Sequence, residues 1–148
     1  MKVHDLEKKN RELTEDEVRE KLLELPVSLP PSFFDWVAKY QGASVSDEGL
    51  EILTESGSRR IFVEVMTPDE IIFQYNESVD EDEEFFYIIP FAFDRSNCHF
   101  CFDYRNKTTR IIYFDTDYLI SETPEAAEKV CNGFDDFLNQ HLSKVKEK

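Results

Sequence analysis

The chain is short of the residues that build reactive centres. It has only 4 glycines and 3 cysteines among 148 residues. Phosphate-cradling loops need glycine, and none of the G-x-x-x-x-G-K-[ST], G-x-G-x-x-G or G-x-S-x-G patterns occurs. H-E-x-x-H is absent too, which removes the helical zinc-protease signature. No apolar run approaches the ~20 residues that span a bilayer. The opening "MKVHDLEKKN" has no apolar stretch of the kind a secretory leader carries. An odd cysteine count fits reduced thiols better than a disulfide framework. The expectation is a cytoplasmic protein.

Basic residues are the second shortage. There are 17 Lys and Arg against 32 Asp and Glu, a net charge of −15. The excess is spread evenly: residues 1–75 hold 9 basic and 16 acidic groups (−7), and residues 76–148 hold 8 and 16 (−8). Such a surface repels nucleic-acid phosphates and anionic lipid, and attracts basic proteins. No direct nucleic-acid or membrane binding is expected. The same acidity also serves solubility alone.

Aromatic residues, by contrast, are plentiful. Thirteen phenylalanines and a hydrophobic fraction of 41% are enough for a packed core, and the length suits one domain, 1–148. Thr14 with Glu17 reads as a capping box that opens a helix running to about Leu25, stopped by Pro26. A second helix starts at Pro31 and carries Phe33, Trp36, Val37 and Tyr40 on one face, with Gly42 as its left-handed terminator. "LEIL" (50–53) and "RRIFVEV" (59–65) alternate as strands around the turn "TESGS". Thr67-Pro68-Asp69-Glu70 opens a short third helix, expected to end near Tyr75-Asn76. "ESVDEDEE" (77–84) packs six carboxylates into eight residues and reads as an exposed loop.

Three strands follow, "FFYIIPF", "CHFCFD" and "TRIIYFD", joined by spacers short enough for antiparallel hairpins. "TPEAAEKV" reads as one or two helical turns. Phe134, Phe137, Leu138 and His141/Leu142 mark a closing amphipathic helix. A weak helical pattern (Val3, Leu6, Leu13) leads in at the start. Helices at both ends of a mostly antiparallel sheet define an α+β fold.

Cys98-His99-Phe100-Cys101 has the C-x-x-C spacing of zinc knuckles and redox sites, both of which need a turn or helix start. The flanking pattern instead makes it a strand. Alternation then sends Cys98, Phe100 and Phe102 to one face and His99, Cys101 and Asp103 to the other. Neither a metal site nor a redox pair is expected, and no cofactor is implied. Among 32 acidic residues no particular carboxylate pair stands out for acid–base work.

Three stretches together resemble the Smi1/Knr4 (SUKH) family. "LPPSFFDWVAKYQGA" matches its Leu-Pro and aromatic helix through Leu29, Pro30, Phe33, Trp36, Val37 and Gly42. "IIPFAFDRSNCHFCFDY" matches its Ile-Pro-Phe-Ala strand and aspartate-ended return strand through Ile89, Pro90, Phe91, Ala92 and Asp103. "VCNGFDDFLNQHL" resembles its closing helix through Phe134, Phe137 and Leu138. The likeness covers roughly residues 14–142. Gln41 stands where the family has asparagine, and the 92–97 turn offers Asp94, Ser96 and Asn97 in place of glycines; Asn97 can adopt the left-handed conformation.

The resemblance implies an interaction domain and not an enzyme. Many bacterial members are immunity proteins that neutralise a cognate toxin, often a nuclease, by direct binding. A nuclease presents a basic cleft, which an acidic protein can complement. The expected contact residues are Asp80, Glu81, Asp82, Glu83, Glu84, Asp94 and Asp117. Two other readings stay open. One is a regulatory or scaffold protein of the same family with no toxin partner; the other is an enzyme using a concave pocket around His99 or a perturbed carboxylate.

Overall fold

The computed structural model describes residues 6–7, 13–45, 50–94, 96–106 and 108–139. Strand β1 (Leu6–Glu7) precedes helix α1 (Glu15–Lys21). Thr14 Oγ1 accepts the Glu17 amide at 3.1 Å, and the Glu17 carboxylate accepts the Thr14 amide at 3.0 Å. The capping box is formed as the sequence predicts. The helix stops at Lys21, earlier than Leu25: Leu22 caps it and the chain continues as turn, with Leu25, before Pro26, kept from helical geometry. Leu22 and Leu25 stay buried in the turn that follows.

Helix α2 (Pro31–Tyr40) buries Phe33, Phe34, Trp36, Val37 and Ala38, and Gly42 beyond it takes φ 77°. Strand β2 (Ser44–Val45) pairs with β1. Strands β3 (Leu50–Thr54) and β4 (Gly57–Ile61) then form a separate two-stranded hairpin. The expected strand 59–65 is therefore two elements, since β5 (Glu64–Val65) belongs to the main sheet. Ile61 pairs with Leu50 in the hairpin while Val63, Val65 and Met66 bury in the main core, so the chain must cross between sheets.

Helix α3 (Pro68–Glu81) opens with a second capping box, Thr67 with Glu70. It runs six residues past Tyr75, where the sequence suggests an end. Ile71 and Tyr75 are buried, Ile72 and Val79 are packed against the core, and Glu77, Asp80 and Glu81 are exposed. A 3-10 turn (Glu83–Tyr87) follows.

Strands β6 (Ile88–Phe93), β7 (Cys98–Asp103) and β8 (Arg110–Asp115) are consecutive antiparallel hairpins, as the spacers imply. Asn97 sits at φ 67°, the left-handed geometry that its turn requires. "TPEAAEKV" is not helical beyond one 3-10 turn (Pro124–Ala126); it continues as edge strand β9 (Ala127–Cys131) on β8. Pairing with the free edge of β8 outweighs local helix preference there. Helix α4 (Phe134–Phe137) closes the described chain, and the expected contributions of His141 and Leu142 lie outside it. So does most of the lead-in, apart from the β1 residues and Leu13.

The main sheet runs β1-β2-β5-β6-β7-β8-β9, antiparallel throughout. Helices α1, α2 and α4 pack over the face that carries Phe91, Phe100 and Phe102, in an α+β arrangement. Phe33 stands at its centre, edge-on to Phe102 at 5.0 Å and to Phe134 at 5.3 Å. Each such edge contact adds roughly 0.5–1.5 kcal/mol beyond area burial.

Candidate functional site

The opposite face of the sheet is less completely covered. Ile88 and Pro90 from β6, His99, Cys101 and Asp103 from β7, and Ile112 and Phe114 from β8 lie on it. The 3-10 turn after α3 covers part of it through Phe85, which meets Phe114 at 5.1 Å. Between α3 and this face two cavities remain. One, about 320 Å³, is bounded by Phe73, Glu77, Glu81, His99, Cys101 and Tyr118. The other, about 540 Å³, is bounded by Glu64, Glu70, Phe93, Asp94 and Asn97. Gln74, His99 and Thr116 border both, so the two form one groove along α3.

A bulge shapes the floor. Pro90 pairs with Cys101 and Ala92 with Phe100, which leaves Phe91 as the extra residue. A bulge re-aims the side chains that follow it. Phe91 and Ala92 both turn into the aromatic core, and Phe93 moves to the outer face opposite His99. Pro90, with no amide to donate, is suited to that interruption.

His99 is 7% exposed. Burial drives its pKa down from 6.5 to about 4, with Asp94 pulling weakly the other way. The imidazole is neutral at pH 7. No described residue hydrogen-bonds its ring, and Phe93 packs edge-on to it at 5.4 Å.

The acidic residues expected at a contact surface fall into two sorts. Asp80, Glu81, Glu83 and Glu84 are exposed on the end of α3 and the turn after it, and Glu81 also lines the groove. Asp117 is exposed and accepts the Asn97 side-chain amide at 3.2 Å, which brings it to the same end of the sheet as Asp94. Asp82 is held inside the fold, and Asp94 is half-buried at the edge of the groove. Asp82 is buried and accepts the amides of Ser121 at 2.9 Å and Glu84 at 3.2 Å. Burial opposes its ionisation, but those amides outweigh it and hold the carboxyl below its ordinary range. Asp94 closes the β6–β7 turn by accepting the amides of Ser96 and Cys98 and the hydroxyls of Ser96 and Tyr113. The segment 77–84 is thus helix, cap and turn, where the sequence suggests a loop.

Asp103, which the sequence marks as the end of a strand, is fully buried and paired. Its oxygens accept from Arg105 at 3.0 Å and from Arg110 at 2.9 Å. Burial would raise its pKa; hydrogen bonds from Arg105 and then Arg110 win and lower it. Cys98 packs in the aromatic core and Cys101 on the outer face, so the thiols lie on opposite sides of β7 as strand alternation predicts. Burial pushes up the thiols of Cys98 and Cys101 and takes Cys131 to about 11. Among the described residues no group of three or more His, Cys, Asp or Glu is placed to hold a metal ion, and no helix is long and apolar enough to cross a membrane.

Sequence reasoning passes over Phe73, Gln74, Glu77 and Tyr118 as groove residues. The signal for three of the groove residues is helical spacing: Phe73, Glu77 and Glu81 fall at i, i+4 and i+8 on α3. It becomes visible only once that helix is carried past Tyr75.

The model of the SMI1/KNR4 family (SUKH-1) matches residues 12–140, which takes in the first two stretches discussed above and all but the last two residues of the third. No curated protein and no solved structure matches the chain.

Proposed function

The chain belongs to the SMI1/KNR4 (SUKH-1) family, and from that membership we propose that it is an immunity protein: it binds a cognate basic protein toxin in the cytoplasm and neutralises it without catalysis. The observation that carries this reading is the groove along α3. Glu64, Glu70, Glu77, Glu81 and Asp94 border it, and no Lys or Arg does among the described residues. A toxin that acts on nucleic acid must present positive charge to phosphate. Five carboxylates with no opposing cation complement that charge, speed encounter and deny the substrate its seat. The contact positions in this reading are Asp80, Glu81, Glu83, Glu84 and Asp117, with Asp82 and Asp94 holding the backbone beneath them.

A cavity beside His99 is also what an enzyme would need. Its groups are poorly matched to that work. An imidazole with a pKa near 4 is a weak general base at neutral pH. The Cys101 thiol beside it is driven far from the thiolate by burial. Binding suits these residues better than proton or acyl transfer.

Co-expression with the product of the neighbouring gene tests the proposal. The expected result is restored growth of cells that the neighbour's product alone would kill. If that product is harmless, or kills equally in the presence of this protein, a regulatory scaffold role replaces the immunity reading.

A further inference from the structure

We propose that the 320 Å³ cavity beside His99 is a receptor for one arginine side chain carried by the protein partner. The inference rests on the protein-binding reading above and names the anchor that such a partner would insert.

Size is the first argument. At about 320 Å³ this end of the groove has room for one long side chain. Chemistry is the second. Glu77 and Glu81 sit one helical turn apart on the wall, and neither is tied up by a described cation. Phe73 and Tyr118 stand at the mouth, 59% and 49% exposed. Carboxylates with aromatic faces are the surroundings in which a guanidinium gains both ion pairing and cation–π attraction.

His99 is the third and independent argument. A polar side chain that is 93% out of solvent normally has a hydrogen-bond partner. This one has none among the described residues, and its ring nitrogens are not sealed off but border the cavity, where a ligand can reach them. Held neutral by burial, it offers an acceptor nitrogen and no opposing charge. A guanidinium has five donors in a rigid fork, enough to reach both carboxylates and the ring nitrogen.

The wall also carries a cost that a cation would relieve. Glu77, Asp80 and Glu81 lie at the C-terminal end of α3, whose last turn holds no basic residue. Carboxylates there face the negative end of the helix dipole. A bound arginine supplies the positive charge that the helix end lacks.

The test is an NMR titration of the full chain at pH 7 with three peptides: Gly-Arg-Gly, Gly-Lys-Gly and Gly-citrulline-Gly. The expected result is a saturable shift of the His99 ring and the Phe73 and Tyr118 signals with the arginine peptide. Citrulline, isosteric but uncharged, should bind at least tenfold more weakly, and lysine should fall between. Phe73→Ala and the double variant Glu77→Gln/Glu81→Gln change exposed side chains, and each should weaken the arginine peptide roughly tenfold with an unaltered circular dichroism spectrum. No shift at His99, or equal responses to arginine, lysine and citrulline, overturns the proposal. The titration needs no partner protein. Rescue by the wild type together with a silent titration would discard the arginine receptor and leave the immunity reading standing. A positive titration without rescue would do the reverse.

Discussion

His99 and Phe93 face each other across β6 and β7 with ring centroids 5.4 Å apart and planes at 69°. They meet because the bulge at Phe91 shifts the register by one residue. An edge-on phenyl ring gives the imidazole no hydrogen bond, so its neutral form is favoured by burial alone.

Stability should therefore fall as the solution is acidified below about pH 6.5. The unfolded chain takes up a proton on His99 at its ordinary pKa of 6.5, and the folded chain resists until about 4. Between those values the unfolded state binds more protons, so stability rises with pH across the window and its His99 contribution is flat outside it. The carboxylates around the ring are Asp94, Glu64, Glu70, Glu77 and Glu81. The loss from pH 6.5 to 4 should reach up to about 3 kcal/mol. Urea melts of the wild type and of His99→Gln, compared at each pH, measure it; parallel pH profiles would show that the ring titrates normally.

A second acid-sensitive element is Asp103. Its folded pKa is lowered, so its contribution is present above the ordinary aspartate range and is lost as pH falls through the folded value. Asp103→Asn should cost about 3 kcal/mol at pH 7, because Arg105 and Arg110 lose a buried partner. The deficit should shrink in strong acid, where wild-type Asp103 is itself protonated. Chemical denaturation at both pH values checks this.

Charge at the end of α3 should trade stability for binding. Glu81→Lys puts a cation where the helix dipole favours one, and should stabilise the fold by about 0.5 kcal/mol. The same change should weaken the complex with a basic partner. A variant that gains thermal stability and loses affinity separates the two roles; a gain in both would remove the groove from the interface.

The three thiols should be inert in the native state. Cys98, Cys101 and Cys131 are buried and their pKa values are raised. Alkylation at neutral pH should be slow until urea unfolds the chain, and then involve all three. Rapid native labelling of Cys101 would mean that the groove floor is open.

Much of this architecture is legible in the sequence because local signals and packing agree. The face of α2 is written in Phe33, Trp36 and Val37 at helical spacing, and the core uses that same face. The capping boxes at Thr14 and Thr67 are local chemistry and form where they are read. The length of α3 is harder to read. Six carboxylates look hostile to a helix, yet like charges at i, i+4 cost only a few tenths of a kcal/mol, and glutamate is a good helix former. Packing Tyr75 and Val79 outweighs that repulsion.

The groove itself is not written in any local pattern, because it depends on long-range facts. The bulge at Phe91 is signalled by nothing nearer than Pro90, and the division of 59–65 between two sheets follows from partners that no local pattern reveals. Asp82 and Asp94 share the composition of their exposed neighbours. What distinguishes them is which backbone amides the fold brings to them.

The most direct test of the account is the association rate between this protein and the neighbouring gene's product, followed by stopped flow over increasing salt. Binding through an acidic groove predicts fast association at low ionic strength that slows steeply as salt screens it, and a much shallower dependence for Glu77→Lys/Glu81→Lys. A rate indifferent to salt, or identical in that variant, would contradict it.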